Sequence, residues 1–255
     1  MNKKLLLISA LLFSFNGWAY NETDLAKLKA LNACESCDLS SANLEGADLS
    51  NADLEGANLE GANLGSANLW SADLRRADLE GANLGSANLR SANLWSSDLR
   101  RADLEDAILV NANLGNAILG NANLEGANLR DADLSDAILG SANLGFADLR
   151  HAILRRADLS RADLSDARLD YAILSASNLE GADLRNANLR FVRLNDAILR
   201  DANLEGAGLE SAILRNVDLQ GANLKSTRLK NTKLDEATFC KTQMPWGEIN
   251  DDCKE

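Results

Sequence analysis

Proline is almost absent. The chain of 255 residues has one, Pro245, so before that point no ring fixes a φ angle or removes a backbone donor. Histidine is equally scarce, with His151 alone. A single histidine makes no His-cluster metal centre, which needs convergent ligands, and no Ser/His/Asp spacing accompanies it. At a polar corner of the chain it reads as a solvated side chain. Aromatic residues are only 4% of the sequence, so a core must be built from something else. The net charge of −12 argues against simple electrostatic attachment to nucleic acid or anionic lipid, although 26 basic residues are spread through the chain. No apolar run reaches the roughly 20 residues that a membrane-spanning helix needs.

What the chain has is leucine. Forty leucines fall on every fifth position from Leu39 to Leu234 without exception, and Phe239 takes the next place. Two residues before nearly every leucine stands alanine, as in Ala42-Asn43-Leu44 and Ala157-Asp158-Leu159.

The N-terminus precedes this register. Asn2-Lys3-Lys4 is followed by an apolar run of 11 residues, Leu5 to Phe15, and then by small residues at Gly17 and Ala19. That is the pattern of a secretory signal peptide over residues 1–19, cleaved after Ala19. A membrane anchor is the alternative, and the run is short for it. Losing Lys3 and Lys4 moves the net charge from −12 to −14. The expected product is exported to the periplasm or the extracellular space, with no stable membrane insertion after cleavage. Residues 20–36 are expected to cap the following array. Leu25, Leu28 and Leu31 predict a short helix over Asn21 to Ala33, with Thr23 as its N-cap.

A five-residue period excludes the two regular structures. On a helix, at about 100° per residue, leucines five apart would spiral around every side. On a long strand they would face alternate sides, because five is odd. The pattern makes sense if the chain turns a corner in every repeat. Leucine and the alanine two before it share one face, and the Asn or Asp between them points outward. The next two residues are turn-tolerant or exposed types, for example Glu45-Gly46 and Gly65-Ser66. The chain then coils around an Ala/Leu interior. Sides per coil stay open at this level. Leu59–Leu69 recurs as Leu79–Leu89 at a shift of 20, but Asp73–Leu79 recurs as Asp98–Leu104 at a shift of 25.

The unit A-(D/N)-L-x-x, unbroken from Cys37 to Phe239, resembles that of the pentapeptide-repeat proteins. The resemblance implies an all-β fold: a right-handed quadrilateral parallel β-helix with four repeats per coil over residues 37–239. About ten coils at roughly 4.8 Å each give a rod on the order of 50 Å long. Val192, Val217, Thr227 and Thr232 occupy alanine positions near its C-terminal end, where the coil is expected to widen or loosen.

Four cysteines allow three pairings. With the ends of such a rod tens of ångströms apart, Cys34–Cys37 and Cys240–Cys253 are the pairs within reach, and an exported chain favours their oxidation. Cys34-Glu35-Ser36-Cys37 is also a C-x-x-C. Cys37 takes an interior position and no thioredoxin-like βαβ context surrounds it, so a structural bridge is favoured over a redox site. Residues 240–255, with Met244-Pro245-Trp246-Gly247, read as a turn or small hairpin capping the last coil. Phe239 to Asn250 is similar to the terminal segment of some pentapeptide-repeat proteins.

No catalytic, cofactor or metal constellation is present, so the chain reads as non-enzymatic. One exterior feature departs from polarity. The outward position before leucine is Ile at 108, 118, 138, 153, 173, 198 and 213. With 20 residues per coil, Ile153 lies over Ile173, with Ile213 beyond Arg193, and His151, Tyr171 and Phe191 stack at the adjoining corner, flanked by Arg150 and Arg190. These residues are the candidate interaction patch, for an unidentified protein partner or for self-association. The functional expectation is an exported structural or protein-interaction scaffold. An alternative implied by the resemblance is a DNA-mimicking, topoisomerase-binding protein that protects against quinolones. The signal peptide and the interspersed Arg75, Arg76, Arg100, Arg101, Arg155 and Arg156 weigh against it. An oxidoreductase built on Cys34 and Cys37 comes last.

Overall fold

The computed structural model describes residues 20–251 and 253; residues 1–19, and with them the signal-peptide expectation, lie outside the described residues. The chain is an all-β, right-handed quadrilateral coil. Each outward residue pairs in parallel with the residue 20 further on: Asp38 with Asn58, Asn43 with Asn63, Asp48 with Asn68, Asp53 with Asp73. These four series define four faces, numbered one to four in that order. The 20-residue repeat in the sequence is therefore the coil, and the 25-residue repeat is a coil plus one side.

The local chemistry of a side is simple. In Asn63-Leu64, the Asn63 N–H donates to Ala42 O (2.9 Å) and the Leu64 N–H donates to Asn83 O (2.7 Å), which ties three successive coils together. At the corner, the Ala67 N–H closes a turn onto Leu64 O at 3.0 Å. The second corner residue has positive φ, from Ser36 (54°) to Lys241 (53°). That requirement, met most cheaply by Gly, Asn or Asp, explains the corner composition. Gly221 (φ 71°) shows the constraint at its sharpest, because a Cβ there would lie 2.0 Å from Asp201 Oδ1. Gly221→Ala is expected to cost about 1–2 kcal/mol, read as a lower thermal midpoint.

The Asn or Asp before leucine does more than face water. Its Oδ1 accepts the first corner N–H, as in Asp158 from Ser160 (3.0 Å) and Asn143 from Gly145 (3.0 Å). On face two the amides also join coil to coil. Asn63 Nδ2 donates to Asn43 Oδ1 (3.3 Å) and Asn83 Nδ2 to Asn63 Oδ1 (3.1 Å).

The interior is leucine and alanine, almost wholly removed from solvent. Each buried leucine contributes roughly 1.5–3 kcal/mol before entropy. The loosening expected at the C-terminal end has a local form. Val192 and Val217 are fully buried. The turn bond onto Leu189 O lengthens to 3.3 Å at Val192, and among the described residues none closes at Val217. The interior itself opens later, at the half-buried Leu229, Leu234 and Phe239. Thr227 and Thr232 settle in alanine positions by donating Oγ1 to Leu224 O and Leu209 O, both at 2.7 Å.

Both ends are closed by elements of another kind. At the N-terminal end lies α1 (Glu22–Leu31). Its N-cap is Asn21, not Thr23. Asn21 is still extended (φ −73°, ψ 110°) and its side chain accepts from the Thr23 N–H at 2.9 Å, whereas Thr23 is already inside the helix. Leu25 and Leu28 pack on the first coil, while Leu31 is 67% exposed. Three-residue steps drift around a helix that turns every 3.6. Asp24 Oδ2 accepts the Asp38 N–H (2.9 Å), anchoring α1 to the first coil.

At the other end the register runs on beyond Phe239. Met244 fills the next leucine position at 2% exposure, and Thr242 fills the alanine position. They belong to β1 (Thr242–Met244), whose Gln243 pairs in parallel with Asn223 of face two. The chain then reverses, and β2 (Gly247–Ile249) pairs antiparallel with β1. A short antiparallel strand thus covers an edge that would otherwise accept a further strand. Cys34 is bonded to Cys37 and Cys240 to Cys253, so each bridge lies at one end of the coil. No helix among the described residues is long and apolar enough to cross a membrane.

Candidate functional site

Among the described residues the interior is filled by buried leucine and alanine, and the described surface has two places where ligating groups gather. Asp78, Glu80 and Asp98 converge. Arg100 reaches Glu80 (2.7 Å) and Asp98 (2.5 Å), and Arg101 also pairs with Glu80, so these carboxylates already have cationic partners. Asp24 approaches Cys34 and Cys37, but a disulfide has spent both thiolates. Neither set is a reactive centre.

Arginines and carboxylates are matched along much of the rod. Arg75 bridges Asp73 and Glu55 (both 2.6 Å), and its hydrogen bonds hold the Asp73 carboxyl below the ordinary carboxylate range. At Asp98 and Asp148 burial pushes the pKa up, and the hydrogen bonds from Arg100 and Arg150 outweigh it, leaving both lowered. Asp183 is lowered in the same way through Arg185. Glu210 is also lowered. Burial opposes this, and its own backbone N–H and Arg228 (2.9 Å) overcome it.

The corner between faces three and four is different. His151, Tyr171 and Phe191 occupy its second position in three successive coils. Their rings lie parallel, His151 to Tyr171 at 5.1 Å and 7°, Tyr171 to Phe191 at 4.8 Å and 5°. Tyr171 and Phe191 are 49% and 40% exposed. All three have positive φ, at 61°, 64° and 59°. Bulky residues rarely adopt that conformation, and the fold is served there by Gly, Asn or Ser. Three rings in one column therefore cost backbone energy that the coil does not require.

Beside this column, Ile153 and Ile173 pair across coils on face four, and Ile213 follows after Arg193. Isoleucine there gives up the corner hydrogen bond that Asn or Asp would accept. Among the described residues the Arg155 and Ser175 N–H groups have no acceptor. The remaining isoleucines go elsewhere: Ile118, Ile138 and Ile198 to face one and Ile108 to face three. The patch residues named from the sequence thus fall together, with Arg150 and Arg190 in the adjoining corner column. Arg190 also sits 5.9 Å from the Phe191 ring centroid.

Two parts of this surface do not stand out in the sequence. The column holding Arg150 and Arg190 also holds Asp170 and Glu210, so charge alternates along it from Arg150 to Lys230. The 20-residue spacing from Arg150 is the signal that points to them. Exposed Trp70 and Phe146 stand on corners of other coils, and Trp95 lies 5.7 Å under the Arg76 guanidinium. Each is alone in its column of rings, so no stacking pattern marks it.

Comparison with known proteins agrees with this architecture. A family model described as pentapeptide repeats matches in 8 copies, spanning residues 34–240 in overlapping segments. HetL, a pentapeptide repeat protein involved in heterocyst differentiation regulation from the cyanobacterium Nostoc, is 36% identical. The match covers 89% of this chain and 98% of HetL, with a TM-score of 0.52. A pentapeptide repeat protein of the Arabidopsis thaliana thylakoid lumen is 29% identical over 46% of this chain and 70% of its own, at a TM-score of 0.32. QnrB1, a plasmid-mediated fluoroquinolone resistance protein, is 18% identical over 65% of this chain and 90% of its own, at a TM-score of 0.30. No curated protein matches. With the coil, its repeat unit and a relative matched over nearly its whole length in hand, the chain belongs to the pentapeptide-repeat family.

Proposed function

We propose that this protein is an exported, non-enzymatic scaffold whose aromatic corner binds protein. The observation that carries the reading is the column His151–Tyr171–Phe191. Three rings are held at positive φ, in successive coils, on a rod whose other corners are mostly small or polar. Apolar side chains gathered on an otherwise polar exterior mark contact surfaces. Export is supported by the basic and apolar pattern of residues 1–19 and by the two disulfides, which persist in oxidising compartments. The arginine–carboxylate pairs along the corners break up any continuous acidic stripe, which disfavours mimicry of a DNA backbone.

Two measurements test the two halves. Cell fractionation with N-terminal sequencing should recover protein beginning at Tyr20 outside the cytoplasm; cytoplasmic protein beginning at Met1 overturns export. A photo-crosslinking residue at position 171 should form protein adducts that the same residue at Glu125, on another corner, does not. Equal labelling from both positions removes the special role of the corner.

A further inference from the structure

The geometry points to a second copy of this chain as the occupant of the aromatic corner, lying antiparallel across a two-fold axis between the coil of Tyr171 and the coil of Phe191. This rests on the reading of that corner as an interaction surface and adds its partner.

The argument begins with the charge column. Arg150, Asp170, Arg190 and Glu210 follow one another at successive coils, reading plus, minus, plus, minus. Such a column is complementary to its own reverse. When two rods lie antiparallel, a two-fold axis in the contact plane and perpendicular to both sets the same corner opposite itself. Asp170 then faces Arg190 of the second copy, Arg150 faces Glu210, and the symmetry makes each contact twice. A parallel pair related by a two-fold along the rod sets this corner against the opposite corner of face four, and the match is lost.

The charges narrow the register and the rings select within what is left. An axis between the Arg190 and Glu210 coils also joins opposite charges, Asp170 with Lys230, but sets Tyr171 against Asn231 and Phe191 against Ser211. Moving the axis to the Asp170 coil brings Arg150 against Arg190. Moving it to the Arg190 coil brings Asp170 against Glu210. Centred between them, most apolar residues also agree: Tyr171 meets Phe191 of the second copy and Ile153 meets Ile213, while Ile173 meets Arg193, whose aliphatic stem can lie along it. Like charges meet outside this set, Arg130 with Lys230 along the column and Arg155 with Arg215 at the far corner, which confines the contact to the aromatic edge.

Neither residue of the central pair forms an ion pair with a described residue, although Arg190 stands over the Phe191 ring. Asp170 is half-buried, and its Oδ2 is shielded without a hydrogen-bond donor, so the carboxyl must turn outward to meet the exposed Arg190 of the second copy. The outer pair is already engaged, Arg150 with Asp148 and Glu210 with Arg228, so it adds less than the central pair, although a guanidinium has five donors and keeps some to offer. Exposed charge pairs add little affinity and much orientation, so the rings and isoleucines supply the attraction. A contact confined to one corner and part of one face buries little, and the dimer is expected to be concentration-dependent.

Charge reversal provides the test, by sedimentation equilibrium on protein purified from expression of the full chain. Wild type should show a monomer–dimer equilibrium. Asp170→Arg and Arg190→Asp each place like charges face to face and should weaken it by at least about tenfold. An equimolar mixture of the two variants should form a heterodimer, because the arginine introduced in one chain then faces the aspartate introduced in the other. The double variant should recover self-association. Unchanged circular dichroism spectra and thermal midpoints would show that the coil is intact in each. Single variants that dimerise as wild type does, or a mixture that stays monomeric, overturn the proposal. Wild type that stays monomeric at every concentration while position 171 still crosslinks selectively to another protein overturns the second copy as partner and leaves the interaction surface standing. Wild type that stays monomeric with no selective crosslink overturns both.

Discussion

Leu134→Ala is expected to destabilise the middle of the rod by about 3 kcal/mol, in the range found when buried leucines are truncated. Leu134 is fully buried, on face four, with Leu114 and Leu154 in the same column one coil away on either side. The flanking coils are pinned by ladder bonds such as Leu134 N–H to Ile153 O (2.7 Å) and Ile153 N–H to Ala132 O (2.9 Å), so they resist collapsing into the space. Because each coil touches only its neighbours, the loss stays local. Hydrogen exchange should quicken first in the coils around residue 134, and denaturant unfolding should broaden or split. Leu234→Ala is the control. Leu234 is only half-buried at the opening end, so truncation there should cost much less. Equal losses at the two sites would mean that end and centre are packed alike, contrary to the burial gradient.

The same contrast between interior and exterior explains what is legible in the sequence. Alanine and leucine at fixed offsets must share a face, so the interior can be read residue by residue. The number of sides cannot, because residue types show that a corner exists but not the angle it turns, and the sequence carries both 20- and 25-residue echoes. Thr23 has the right chemistry for a cap, but capping depends on which residue is still extended, and Asn21 holds that geometry. Phe239 looks like the end of the register because Thr242 and Met244 do not resemble alanine and leucine. In the coil they fill those positions, with the Thr242 hydroxyl donating to Leu219 O at 2.7 Å. The candidate patch is partly legible, since the rings and isoleucines stand out by type. Asp170 and Glu210 do not, as carboxylates are common on this surface and their meaning comes only from stacking beside Arg150 and Arg190.

Replacing Cys240 and Cys253 together by serine is expected to release the C-terminal cap. The bridge joins residues 13 apart in sequence, and a loop of about that size contributes roughly 3 kcal/mol by limiting the unlinked ensemble. The other ties are few: the Gln243 N–H donates to Ala222 O (2.9 Å) and its carbonyl accepts from the Leu224 N–H (2.6 Å), the Thr242 hydroxyl reaches Leu219 O, and Met244 is buried at the end of the core. β1 and β2 are three residues each, and the Lys241 N–H rests on Asn250 Oδ1 at 2.8 Å. The neighbouring Leu229, Leu234 and Phe239 are already half-buried. Without the bridge, β2 should leave β1, and Met244 should leave the end of the core. The edge of face two then stands open to another strand, the usual route to edge-to-edge association. Proteolysis after Lys241 and fast exchange over Thr242 to Ile249 should appear at once. Aggregation should follow at high concentration, while the central coils keep their protection. A reductant acting on the wild type should reproduce the effect. The Cys34–Cys37 bridge spans 3 residues and closes so short a loop that its loss should matter less, since α1 is held independently by Leu25, Leu28 and the Asp24 contact. A bridgeless variant with unchanged exchange and no added aggregation would show that the hairpin holds the end by its own packing, and that the disulfide serves something other than capping.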